Sequence, residues 1–218
     1  MEITATLWSP PVPADRIVVV HDGPDYQRYG AIVAFSEQVI KAGHVRPYHL
    51  ALISSDDRLE DYSANPVYAR ALAEKFLPEL FERLGTDKPV LGVGASLGAL
   101  AMLHAQRRHP ARFAGLLLQS GSFFQPRFDR QESGFARWLR IVRFTGRVIR
   151  STGGPGVPIA LTCGTVEENL ANNRDMAAVL AGQGYAVEFA EVRGGHDWES
   201  WRAAFDPHFT DLLKKVFR

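Results

Sequence analysis

Ser96 stands at the centre of Gly94-Ala95-Ser96-Leu97-Gly98, a G-x-S-x-G directly after the apolar run Pro89 to Val93. A serine hydroxyl becomes a nucleophile when it is held on a sharp strand-to-helix turn, and only residues without bulk fit two places before and after it. The helix that follows would point its free N–H groups at developing negative charge. The small residues Gly98, Ala99 and Ala101 suit the start of such a helix. These glycines have two other possible uses. One is a turn that only packs helix on strand. The other is a dinucleotide loop, and this fails because Leu97 stands where the third glycine of G-x-G-x-x-G belongs.

A serine needs a base, and the base needs a group that fixes its tautomer. Of seven histidines, His196 is the candidate, in the loop Gly194-Gly195-His196-Asp197-Trp198 that follows the last apolar strand. The carboxylate is expected between serine and histidine in chain order. Gly164-Thr165-Val166-Glu167-Glu168 offers Glu167, with Glu168 as the alternative. Two N–H donors must meet the oxyanion of an acyl-transfer intermediate. Leu97 supplies one by position. The second comes from the turn His21-Asp22-Gly23-Pro24-Asp25, and since Pro24 has no N–H the choice is Gly23 or Asp25. A metal site built from His21, Asp22, His196 and Asp197 was the competing chemistry. The serine reading requires neither metal nor cofactor.

The elements that must carry these groups alternate along the chain. Apolar runs at Ile17–Val20, Tyr48–Ile53, Pro89–Val93, Gly115–Gln119, Pro158–Cys163 and Tyr185–Val192 read as strands. Helix-period segments read at Ala31–Ala42, Pro66–Leu84, Leu97–Arg108, Gly134–Arg150, Asn169–Gly182 and Glu199–Val216. Ile3–Trp8 reads as an antiparallel edge strand. Near-continuous apolar strands separated by helices imply an α/β fold, a mostly parallel sheet covered on both faces. In such sheets ligands bind beyond the carboxyl ends of the strands. Ser96, His196, Glu167 and the 21–25 turn all fall there.

These motifs, together with Gln119-Ser120-Gly121-Ser122, Asn173-Arg174 and Trp201-Arg202, make the chain from Ile17 onward resemble one esterase branch of the α/β-hydrolases. That branch includes enterochelin esterases, feruloyl esterases, S-formylglutathione hydrolase and mycolyltransferases. The resemblance implies an α/β-hydrolase fold and a serine carboxylesterase acting through an acyl-enzyme on Ser96. It places the acid three residues after Gly164, at Glu167, or one later at Glu168. Pro24 departs from relatives that use the N–H following the glycine of the Asp-Gly turn.

An insertion at about residues 122–156 stands where hydrolases of this fold carry a lid. It holds Arg127, Arg130, Arg137, Arg140, Arg143, Arg147 and Arg150 against Asp129 and Glu132. Arginines bind carboxylates and phosphates bidentately, so an anionic small-molecule ester is one expectation, set against an ordinary solvated helix face. Tyr26, Arg58 and Phe123 are candidate substrate contacts. The 218 residues carry 25 Lys+Arg, 24 Asp+Glu and one cysteine, Cys163. That balance disfavours a nucleic-acid partner and a disulfide framework. No apolar run approaches the ~20 residues of a membrane span, and no signal-like stretch opens the chain, so a single cytoplasmic domain is expected. Acyl transfer to an alcohol shares the same chemistry as hydrolysis. A non-catalytic binding module on this fold is the alternative of a different class.

Overall fold

The computed structural model describes residues 1–154 and 156–218. Seven strands, β1 Thr4–Trp8, β2 Ile17–Val20, β3 His49–Ser54, β4 Val90–Ala95, β5 Phe113–Gln119, β6 Pro158–Gly164 and β7 Ala186–Val192, form one sheet in the order β1-β3-β2-β4-β5-β6-β7. β1 pairs antiparallel with β3, Thr4 opposite Ser54, and every other pairing is parallel. The side-chain period of two divides the sheet between two cores. Ile17, Val19, Ala51, Ile53, Leu116 and Leu118 point to one, and Val18, Val20, Leu50, Leu52, Leu91, Val93 and Leu117 to the other.

Helices α4 Pro66–Ala71, α5 Leu77–Leu84, α6 Leu97–Arg108, α7 Trp138–Arg150 and α8 Leu170–Gly182 cover the first face. Helices α2 Ile32–Lys41 and α10 Thr210–Val216 cover the second, with the aromatic residues Trp201, Phe205 and Phe209 between them. Among the described residues, no helix is long and apolar enough to cross a membrane.

Four expected boundaries differ, each for a local reason. The turn after β2 runs directly into a short helix, α1 Gly23–Arg28, with Pro24 in its first turn. A proline there forfeits an N–H that no helix would have used. The expected helix 66–84 passes through a π-turn at Leu72–Phe76, just before Pro78 interrupts the hydrogen-bond ladder. The closing helix breaks into α9 Trp198–Ala203 and α10 because Asp206, which precedes Pro207, takes an extended conformation (φ −109°, ψ 124°). In the expected lid insertion, a 3-10 turn at Arg130–Gly134 comes before α7, which begins at Trp138 and not at Gly134. Pro155 of that insertion lies outside the described residues.

The end of β2 is braced against the start of α6. His21 is fully buried, its Nδ1–H donates to the Gly98 carbonyl (2.9 Å), and its Nε2 accepts from the Tyr68 hydroxyl (2.8 Å). Tyr62 stacks on the ring at 4.4 Å. Burial pushes the His21 pKa down to about 4, so the ring stays neutral and keeps this tautomer. His104, buried edge-on to Phe144, is pushed down to about 3 by burial and by neighbouring arginines.

Two outcomes follow. A methyl group on Gly94 would land on the backbone carbonyl of Gly98, which cannot swing aside. Gly94→Ala should therefore lower the melting temperature by about 5 °C or more, as expected for overpacking that costs about 1–3 kcal/mol. Both buried histidines have folded pKa values below the unfolded 6.5. Between the two values the unfolded chain binds protons that the folded chain refuses, so stability falls as pH drops below about 6.5. Urea unfolding at pH 7 and pH 5 should show a loss of order 1–2 kcal/mol per histidine. His104→Leu should shrink that loss.

Candidate active site

The G-x-S-x-G turn is built as the steric argument requires. Ser96 joins β4 to α6 with φ 55° and ψ −122°, in the left-handed half of the map that a side chain rarely adopts. Its N–H is tied to Gln119 O (2.9 Å), and its carbonyl accepts from the N–H groups of Ser122 (3.1 Å) and Leu100 (3.2 Å). From Val90 to Gln106 every residue is buried except Ser96. The hydroxyl thus emerges from the core at the carboxyl end of β4, where it is hydrogen-bonded to Ser122 Oγ (3.2 Å).

Two loops, one after β6 and one after β7, meet at the same end of the sheet. Gly164 ends β6, and a Cβ on it would press into Gly194 O and Glu167. The absence of a side chain there lets the β6 and β7 loops touch, with Val166 N–H donating to Gly194 O at 3.3 Å. Gly194 itself adopts φ 133°, and Asp197 caps α9 by accepting from Ser200 N–H (2.8 Å). The contact sets His196 Nδ1 2.8 Å from Glu167 Oε2.

The Glu167 side chain is wholly buried while that of His196 is 42% exposed. Oε1 of Glu167 accepts from Ser120 Oγ and from Gly164 N–H, each at 2.6 Å. Burial alone would raise the pKa of this carboxyl, but the donors His196, Ser120 and Gly164 outweigh it and hold the group below its ordinary range. An ionised carboxylate only accepts, so Nδ1 carries the proton, and in the neutral ring Nε2 of His196 is the acceptor.

Ser96, Leu97, Ser122, Glu167 and His196 line one cavity of about 570 Å³. Its remaining wall includes Arg58, Phe124, Glu132, Phe135 and Glu168. Glu168 is exposed on this wall, and the histidine's partner is Glu167. Leu97 opens α6 and Gly23 opens α1, so neither N–H has a partner within its helix. Asp25 N–H is committed to Asp22 O (3.0 Å), which removes it as an oxyanion donor.

Arg58 lies on the cavity wall, with Nε and Nη2 bound to the two oxygens of Asp22 at 2.8 Å. With Asp22 so clamped and both nitrogens of His21 engaged, these two side chains are not free to join His196 around a metal ion. Among the described residues no group of three His, Cys, Asp or Glu is placed to hold one.

Tyr26 and Phe123 require correction as substrate contacts. Both are 0% exposed. Tyr26 sits in the unanticipated α1, facing inward to donate to Gln119 Oε1 (2.9 Å), and Phe123 folds back over Gly121 into the core. The next residue, Phe124, does reach the cavity, as does Phe135, and Phe124 packs on Trp138 (5.5 Å) and Phe135 (6.2 Å).

Three arginines of the insertion are engaged away from the cavity. Arg137 and Arg140 both bind Glu60 (2.5 and 2.6 Å), and Arg127 binds Asp175 (2.7 Å). Among the described residues, no arginine of the insertion lines the cavity. Sequence reasoning did not assign roles to Ser120 and Ser122, which bond to Glu167 and Ser96. The available signal was the position of Gln119-Ser120-Gly121-Ser122 at the carboxyl end of a central strand.

The chain is similar to several known proteins. The chain is 28% identical over 218 residues to the iron(III) enterobactin esterase of Dickeya dadantii, which covers 92% of this chain and 48% of the relative. It is 28% identical over 173 residues to the enzyme of the same name from Escherichia coli O6:H1, covering 76% and 40%. The chain thus spans about half the length of the curated relatives it matches. In fold it resembles the enterobactin esterase of Shigella flexneri (TM-score 0.79, 22% identity, 97% of this chain and 55% of that one). It also resembles a ferulic acid esterase (TM-score 0.81, 16% identity, 99% and 93%). Residues 8–212 match the family model described as "Putative esterase", and with nearly the whole chain covered, the protein belongs to that esterase family of the α/β-hydrolase fold.

Proposed function

We infer that the protein is a serine-dependent carboxylic ester hydrolase that works through an acyl-enzyme on Ser96. The observation that carries this is the 2.8 Å bond from His196 Nδ1 to the buried Glu167 carboxylate, at the wall of the cavity that Ser96 enters. With Nδ1–H held there, Nε2 takes the proton of the Ser96 hydroxyl as Oγ attacks the ester carbonyl. The tetrahedral oxyanion is met by the N–H of Leu97, with Gly23 N–H as the second donor. On collapse, the imidazolium returns the proton to the departing alcohol. Water then attacks the acyl-serine with the same base. Glu167 stays ionised throughout and stabilises the imidazolium. The Ser96–Ser122 hydrogen bond of the free protein must open as the substrate enters, a rearrangement common at such sites.

The substrate is a small-molecule ester. The aromatic face of Phe124 and Phe135 supports an aryl acyl or alcohol portion, and the names of the relatives, iron(III) enterobactin esterase and ferulic acid esterase, are the reason to include aryl esters in any panel.

A fluorophosphonate should label the wild-type protein covalently and fail to label Ser96→Ala, read by mass spectrometry. Hydrolysis of p-nitrophenyl esters should fall about 10³-fold or more in His196→Ala and in Glu167→Gln. Equal labelling of Ser96→Ala would end the acyl-enzyme reading. Because no arginine of the insertion reaches the cavity, kcat/KM for an anionic aryl ester should not exceed that of its neutral match, and added salt should change their ratio little. A strong, salt-sensitive preference for the anion would count against this.

A further inference from the structure

Glu167 leans on a side chain that is itself aimed by another. Ser120 follows β5 with φ 49° and no exposed surface. Its N–H is bound to Thr162 O (2.7 Å), and its carbonyl accepts from Asn169 Nδ2 (2.9 Å), so its backbone is fixed on both sides. Its hydroxyl meets two partners, Glu167 Oε1 at 2.6 Å and Trp201 Nε1 at 2.8 Å. An indole N–H can only donate. The Ser120 oxygen therefore accepts from Trp201, and its single proton must go to Glu167. The ring of Trp201 also stands edge-on to His196 at 5.1 Å, and its backbone carbonyl is held by Gln119 Nε2 (2.8 Å).

We propose that Trp201 and Ser120 are positioning residues that act in series: the indole N–H polarises and orients the serine hydroxyl, which holds Glu167 ionised and turned so that Oε2 faces His196. This rests on the assignment of Ser96, His196 and Glu167 above. The one-way chain Trp201→Ser120→Glu167 leaves the carboxylate no freedom to rotate toward the exposed side. The other titratable group beside it, Cys163, stays neutral because burial pushes its thiol up. The same tryptophan fixes the carboxylate through its nitrogen and limits the tilt of the imidazole through its ring edge.

The test compares Ser120→Ala, Trp201→Phe and the double variant, using kcat, KM, the pH–rate profile and the melting temperature with a neutral p-nitrophenyl ester. Ser120→Ala is expected to lower kcat about ten- to a hundredfold with KM within about twofold. Losing a donor makes Glu167 more basic, so the acid limb of the kcat/KM profile should move to higher pH. Trp201→Phe keeps an aromatic ring while removing the donor and part of the ring volume, so a two- to tenfold loss with the same direction of shift is expected.

Ser120→Ala leaves a buried indole N–H without an acceptor, so adding Trp201→Phe should restore part of the melting temperature while kcat stays at the Ser120→Ala level. That separation is foreign to a merely structural role. If kcat recovers together with the melting temperature, or if folded Ser120→Ala keeps kcat and its acid limb, the proposal is overturned. Should Ser120→Ala fail to fold, Trp201→Phe decides: an unchanged kcat and profile refutes the series. Glu167→Gln separates the two levels of argument. If it is inactive while the Ser120 and Trp201 variants are normal, only this inference falls. If it is itself fully active, the assignment of the site falls first.

Discussion

A carboxylate with no exposed surface survives as an ion only when donors replace the water it has lost. Glu167 meets that condition with three: His196 Nδ1, the Ser120 hydroxyl and the Gly164 N–H. Each donor comes from the carboxyl end of a different strand or from the loop after it, so the requirement reaches across the sheet. β5 must end where Ser120 can turn into the left-handed region. β6 must end in a residue without a side chain. The loop after β7 must pass close enough for its histidine to touch the acid. Remove any of these and the charge is stranded, or the imidazole loses the partner that fixes its tautomer. The order of strands β5, β6 and β7 side by side is what makes the convergence possible.

The serine is placed by a different kind of constraint, a steric one. Gly94 and Gly98 lie against each other across the β4–α6 turn, and Gly98 in turn lies against His21 and Asp22. The nucleophile turn and the loop that offers Gly23 are therefore a single packed unit, tied further by the His21 bridge to Gly98 O. Strain at Ser96 persists because its N–H and carbonyl are fastened to Gln119, Ser122 and Leu100. The backbone of this turn is thus fixed in the free protein, as the proposed stabilisation of an oxyanion would require.

Much of this was legible in the chain itself. Strand ends follow from apolar runs, and functional groups of open parallel sheets gather at the carboxyl ends, so Ser96, Glu167 and His196 stood out against the other serines, acids and histidines. Of the two glutamates, Glu167 is the one hydrogen-bonded to His196. What escaped were features that depend on which way a side chain turns. α1 was not anticipated, and without it Tyr26 looked like a loop residue at the site when it faces the core. Phe123 and Phe124 are neighbours of like chemistry, and only the close turn at Gly121 decides which is buried. Ser120 could not be singled out because its importance comes from a left-handed backbone and from a tryptophan 81 positions away.

The insertion shows why charge counted along a sequence is a poor guide to charge in a cavity. α7 buries Ile141, Phe144, Thr145 and Val148, so the intervening arginines are turned outward or sideways by helical geometry. Arg137 and Arg140, at the start of that helix, meet Glu60 within α3 Arg58–Tyr62, and Arg140 also donates to Ser63 O (2.6 Å). Their positive charge thus clamps the insertion to the loop after β3. It does not face the nucleophile. What the insertion lends the cavity is the rings of Phe124 and Phe135 together with the polar side chains of Ser122, Asp129, Gln131 and Glu132. Arg58, the arginine that does reach the wall, is already neutralised by Asp22. On the proposed function, discrimination between esters would rest on how an acyl or alcohol group fits against the rings of Phe124 and Phe135.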